Sequence, residues 1–109
     1  KLRQVPVATE HEVAEIACRL NAGVAFLFPE GRGQSTFFKL FRHMDSDGSG
    51  LVPYHKLLKL VRKYLRIDAI TISDRELQGL WRALDPDESG SIAAGEFIKM
   101  MRKGWKSLR

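Results

Sequence analysis

The sequence predicts an all-α fold, two helix–loop–helix units packed as a pair with an additional N-terminal helical arm. Three observations carry that prediction. Four segments place apolar residues at i, i+3, i+4 and i+7, the stripe of an amphipathic helix that must be buried against others. Two loops rich in Asp, Ser and Gly begin forty positions apart, at Asp45 and Asp85, so the chain contains a repeat. The composition, 44% hydrophobic and 28% charged over 109 residues, is that of one small globular domain. Nothing approaches the roughly 18 consecutive apolar residues of a membrane span.

In chain order the first element is the arm, residues 1–34. Thr9 with Glu12 forms a capping box, and Val13, Ile16, Ala17 and Leu20 make a stripe, which predicts a helix near 10–22 ended by Gly23. Val24–Phe28 is an apolar run that the domain must cover, and Pro29–Gly33 reads as a loop. That loop lacks the Gly-Lys-Ser/Thr ending of a phosphate-binding P-loop. The chain begins at Lys1 rather than Met, which reads as a processed product or a piece of something longer.

The paired units fill 35–109. In the first, 35–66, Ser35 suits an N-cap, Phe37, Leu40, Phe41 and Met44 form one stripe, and Pro53 opens a helix striped by Leu57, Leu60, Val61 and Tyr64. In the second, 73–104, Ser73 and Glu76 form a capping box ahead of Leu77, Leu80, Trp81 and Leu84. Near Ala94 a last helix starts, with Phe97, Met100 and Met101 in its stripe and Trp105 one position beyond.

The loops point to calcium, a hard cation that takes six to eight oxygens, drawn here from positions 1, 3, 5, 7, 9 and 12 of a 12-residue loop. From Asp85 to Glu96 each restricted position is filled. Asp85, Asp87 and Ser89 offer side-chain oxygens, Gly90 permits the bend, Ser91 offers its carbonyl, and Glu96 closes the site with two oxygens. Ala93 at position 9 leaves a place for water, which argues for sensor-range or weaker affinity. The first loop, Asp45 to Lys56, keeps Asp45, Asp47, Ser49, Gly50 and the Leu51 carbonyl, but places a cation, Lys56, at position 12 and Pro53 at position 9. It reads as structural, binding calcium weakly or not at all, with Asp45 and Asp47 free to pair with Lys56. Val52 and Ile92, at position 8 of each loop, suit a small strand bridge between them.

On these residues the chain resembles the EF-hand calcium-binding family, as a tandem pair of the calmodulin and troponin C superfamily over residues 36–103. Phe-x-x-Met-Asp at 41–45 and Trp-x-x-Leu-Asp at 81–85 stand where that family puts apolar residues ahead of the first ligand. The resemblance implies two hands packed face to face and a calcium-driven opening of an apolar groove. The partner groove falls at Phe97, Met100 and Met101, and its occupant is a protein partner or the chain's own N-terminal helix. The arm thus has two readings, a helix completing the core or a built-in ligand that docks more tightly with calcium. The net charge of +5 departs from the acidic sensors of that superfamily.

That charge is concentrated. Lys56, Lys59, Arg62, Lys63 and Arg66 lie in the acid-free stretch 53–66, and five more cations lie in 99–109. Most of the first set forms a solvated face; an acidic protein surface, lipid head groups or nucleic acid are the alternative partners, the last without an aromatic-interleaved motif. Cys18 is the one cysteine, so no disulfide forms within the chain, in keeping with an intracellular protein, cytoplasmic or cytoskeleton-associated. His11, His43 and His55 lack partners at metal-ligand spacing. With no nucleophile–base pair and no cofactor fingerprint, the sequence reads as a non-enzymatic, calcium-responsive regulatory or interaction module with one Ca2+ site. The alternative is a structural or cytoskeletal docking module whose basic helices bind an acidic surface largely independently of calcium.

Overall fold

A computed structural model gives the fold; it describes the backbone of residues 5–28 and 34–107 and the side chains of 5–28 and 36–104. The order is α1 (Glu10–Leu27), α2 (Gln34–Met44), β1 (Leu51–Pro53), α3 (Tyr54–Lys59, running on as a π-helical turn, Leu60–Tyr64), α4 (Asp74–Leu84), β2 (Ser91–Ala93) and α5 (Ala94–Ser107). The all-α class holds, with the two three-residue strands as its only sheet among the described residues. They pair antiparallel with Val52 opposite Ile92, both side chains fully buried, so the two loops are joined back to back.

The stripes become one core. Phe37, Leu40, Phe41 and Met44 from α2 meet Leu57, Leu60 and Val61 from α3, Leu77, Leu80, Trp81 and Leu84 from α4, and Phe97, Met100 and Met101 from α5. Both capping boxes form: Thr9 and Glu12 exchange bonds of 2.8 and 3.1 Å, and Ser73 and Glu76 of 2.9 and 3.0 Å. Each joins two otherwise orphaned backbone donors to side-chain oxygens at a helix start.

Four local expectations are corrected. Gly23 does not end α1, which continues to Leu27; a Cβ at Gly23 would stand 3.0 Å from Ile67 Cδ1, so the glycine makes room for packing. Val24–Leu27 therefore belongs to the helix, with Val24 buried and Phe26 facing out. Ser35 lies inside the first turn of α2 rather than before it, and the loop expected at Pro29–Gly33 lies outside the described residues, as does the Trp105 side chain. Finally, the π turn advances the α3 stripe by one residue. Leu65, with its N–H on Leu60 O at 2.8 Å, is buried in place of Tyr64, which is left half-buried and stacked on His43 at 4.2 Å between ring centroids. Arg66 then turns left-handed (φ 58°) and Ile67 N–H donates back to Val61 O at 2.9 Å, closing the helix end.

The arm helix α1 packs chiefly along α5. The two backbones touch where a Cβ on Gly104 would fall inside the chain at Ala17 and Cys18, so only glycine permits the crossing. Asn21, fully buried there, donates Nδ2 to Ala17 O at 2.8 Å and to Met101 O at 2.9 Å. The segment before α1 clings to α4: Ala8 N–H donates to Gly79 O at 3.1 Å and Arg82 to Val5 O at 2.8 Å. Val13, Ile16, Ala17, Leu20 and Val24 thereby join the common core.

Candidate metal centre

Each loop begins where an entering helix stops and ends where a strand hands over to an exiting helix. In the second loop Asp85 closes α4, its N–H donating to Trp81 O at 2.9 Å, and its side chain turns inward to 5% exposure. Oδ1 accepts from the Ser89 amide at 3.0 Å and the Ser89 hydroxyl at 2.8 Å, and Oδ2 accepts from the Gly90 amide at 2.8 Å. Ser89 Oγ also stands 3.0 Å from the Ser91 carbonyl oxygen. Oxygens of Asp85, Ser89 and Ser91 thus gather inside the loop, a turn that Gly90 allows by adopting φ of +95°.

Burial works against the Asp85 charge, but hydrogen bonds from the Gly90 amide and from the Ser89 hydroxyl and amide outweigh it and hold the carboxyl below the usual carboxylate range. A carboxylate kept ionised at the base of an oxygen-lined loop fits a hard divalent cation. Glu96 stands differently: its Oε1 accepts from the Ala93 amide at 2.8 Å, at the start of α5. Among the described residues no three Asp, Glu, His or Cys side chains gather into a metal-holding group. Asp85 is enclosed at the loop's start, whereas Glu96 is engaged on Ala93. The donor set still fits calcium by chemistry: every donor is an oxygen, and a third carboxylate waits at the loop's end.

The first loop repeats the scaffold more loosely. Asp45 Oδ1 accepts from the Ser49 amide at 3.1 Å and lies 3.4 Å from its hydroxyl, while Oδ2 accepts from the Gly50 amide at 2.9 Å. Ser49 Oγ stands 3.1 Å from the Leu51 carbonyl oxygen. Asp45 is only half-buried. The Ser49 amide first, then the Ser49 hydroxyl, hold the Asp47 carboxyl below its ordinary range. The ion pair expected between Lys56 and these carboxylates is absent among the described residues. Lys56 Nζ donates instead to Ser46 Oγ at 3.1 Å.

One feature escaped the sequence reading. Position 4 is left-handed in both loops, Gly48 at φ 70° and Glu88 at 56°, and the glycine in the first loop was the available signal. The expected groove, for which the sequence offered a protein partner or the chain's own N-terminal helix, is covered in this structure. Phe97, Met100 and Met101 are each 1% exposed, with Phe97 against Phe41 at 6.1 Å, and α1 packs along the helix that carries them. Gly104, one helical turn past Met100, was its trace in the sequence.

Residues 34–102 match the family model of the EF-hand domain pair. Over 67 residues the chain is 31% identical to calcium-dependent protein kinase 17 of Arabidopsis thaliana, covering 62% of this chain and 12% of the kinase. It is 30% identical over 71 residues to calcium-dependent protein kinase 11 of Oryza sativa subsp. japonica, covering 65% of this chain and 11% of the kinase. It is 38% identical over 63 residues to muscle parvalbumin of Gallus gallus, 58% of this chain and 57% of the parvalbumin. The chain therefore spans about a tenth of the kinases it matches and somewhat over half of the parvalbumin. No solved structure matches it.

Proposed function

The chain belongs to the EF-hand domain-pair family of calcium-binding modules, and from that premise we propose that it is a calcium-responsive regulatory or interaction domain of a larger intracellular protein. It has one competent site, formed by Asp85, Asp87, Ser89, Ser91 and Glu96. The observation that carries the reading is the difference at position 12, where the second loop ends in Glu96 and the first in Lys56. The convergence of Asp85 Oδ1 and the Ser91 carbonyl oxygen on Ser89 Oγ, at 2.8 and 3.0 Å, supports it. Similarity to kinases named for calcium dependence supports a regulatory setting. Calcium, when bound, supplies a divalent charge for oxygens; what the chain supplies is their placement.

Glu96 opens α5, so a change in what its carboxylate holds is felt by the helix that bears Phe97, Met100 and Met101. In this structure α1 lies along that helix, which favours the chain's own N-terminal helix as occupant of the apolar face. An outside partner would have to displace it. No described helix is long and apolar enough to cross a membrane.

The test is a calorimetric calcium titration of the chain with magnesium present. One site is expected, abolished by Glu96→Gln. Heat from two sites would overturn the silent first loop, and no binding would overturn the calcium-responsive reading of this chain.

A further inference from the structure

At position 12 the first loop carries Lys56 where the second carries Glu96, and the structure shows where that lysine is placed. A cleft of about 370 Å³ opens between the end of α2, the first loop and α3. Lys56, Lys59 and Lys63, all from α3 and its π-helical turn, line it. Its apolar lining is Met44 and Leu60, both buried, and the stacked pair His43 and Tyr64 borders it. No acidic residue lines the cleft, and among the described residues none of the three lysines pairs with a carboxylate.

The neighbouring cation behaves otherwise. Arg62 leaves the cleft and is spent on structure, donating to Asp74 at 2.6 Å and to the Ile67 carbonyl at 3.1 Å. The helix thus separates one cation that ties the fold together from three that face a shared, carboxylate-free space. Like charges held in one cleft repel, and an anion between them relieves the repulsion. Ser46 adds a donor. Its Oγ accepts from Lys56 at 3.1 Å, which leaves its own proton to point at an incoming oxygen.

We propose that this cleft binds a small molecule bearing two or more phosphate monoester groups, with Lys56, Lys59, Lys63 and Ser46 as its ligands. A phosphate monoester carries close to two negative charges, so two of them match three ammonium groups at short range. The volume is in the range of small-ligand sites, roughly 300–1,000 Å³, and the apolar floor and aromatic wall accept the body of the molecule. On this reading Lys56 at position 12 is a ligand of opposite sign, and the first loop has exchanged a cation for an anion. The proposal does not rest on calcium binding by the second loop.

The test is calorimetry on the whole chain in metal-free buffer at low ionic strength, with free inositol trisphosphate as probe and circular dichroism to check each variant's helices. A second arm uses phosphatidylcholine vesicles doped with phosphatidylinositol bisphosphate, which distinguishes a soluble ligand from a lipid head group. One site is expected for the free probe, weakened about fivefold by each of Lys56→Gln, Lys59→Gln and Lys63→Gln. Lys99→Gln, in the other basic segment, should leave it unchanged. Vesicle binding lost in the same variants would extend the site to the lipid-borne form. Vesicle binding with no heat from the free probe would overturn the cleft in favour of a diffuse charged patch. Absence of binding, or equal weakening by Lys99→Gln, would overturn the proposal outright.

Discussion

Asp45 and Asp85 occupy the same place in loops of the same shape, yet the first is half-buried and the second almost wholly enclosed. In both loops a serine five positions in and a glycine six positions in donate amides to the leading carboxylate. In both, a β-branched residue at position 8 crosses to its counterpart. The loops part at position 12, where Glu96 turns to the Ala93 amide and Lys56 reaches back to Ser46. The comparison teaches that loop shape and ion competence come from different residues. The leading Asp is satisfied by its own loop's amides, so the scaffold survives the loss of the closing acid. A loop that keeps its form is then available for other chemistry.

The largest effect should come from what the loops share. Ile92 and Val52 are fully buried and face each other across the strand bridge. Ile92→Ala should cost about 3 kcal/mol and Val52→Ala about 2 kcal/mol, read from urea unfolding. If the bridge makes the loops one unit, Val52→Ala also weakens calcium at the second loop, although the substitution lies in the first. Unchanged calcium affinity in that variant would show two independent loops on a common core, and the comparison would have to be redrawn.

Next comes the residue that divides them. Lys56→Glu restores the closing acid and removes one cation from the cleft. A second calcium heat is expected, with the first loop's affinity rising about tenfold or more and remaining weaker than the second's, because Pro53 holds position 9 and Asp45 is less enclosed. A Lys56→Glu chain that still binds a single calcium would mean that the exposure of Asp45, rather than the charge at position 12, silences the loop.

Much of this was legible in the sequence, because the apolar stripes and the boundary residues are local signals. The stripe residues of α2, α4 and α5 reached the core as read, both capping boxes formed, and Val52 met Ile92. What could not be read was set by contacts distant in sequence. Gly23 looks like a helix end on its own and becomes a packing notch only beside Ile67, 44 residues away. Leu65 replaces Tyr64 in the core because a π turn shifts the register, and no residue type announces that turn. The motif named the candidate ligands of the second loop. Coordinates were needed to show that Asp85, Ser89 and Ser91 gather while Glu96 is engaged elsewhere, and that Lys56 turns to Ser46. The docking of α1 on α5 rests on Gly104 and Asn21, small and polar residues whose value exists only at the crossing.

The smallest effect concerns how the two hands begin. The helix entering the first loop has no acid in its first turn, whereas the helix entering the second is capped by Ser73 and Glu76. Glu76 also accepts from Arg19 of α1 at 2.9 Å, so one carboxylate serves both the cap and the arm. The Ser73 amide first, then Arg19, hold its carboxyl below the ordinary value of 4.5. A carboxyl whose folded-state value is depressed contributes fully above its unfolded value and loses that contribution as pH falls through the folded one. Glu76 is 40% exposed, so solvent screens the Arg19 pair and the cap supplies most of the effect. Glu76→Ala should therefore cost about 0.5–1 kcal/mol at neutral pH, and the gap from the parent chain should close as the solution is acidified below the mid-fours. Thermal unfolding across that range reads it directly. A gap that stays constant into strong acid would trace the loss to side-chain packing, leaving the second hand no better anchored at its start than the first.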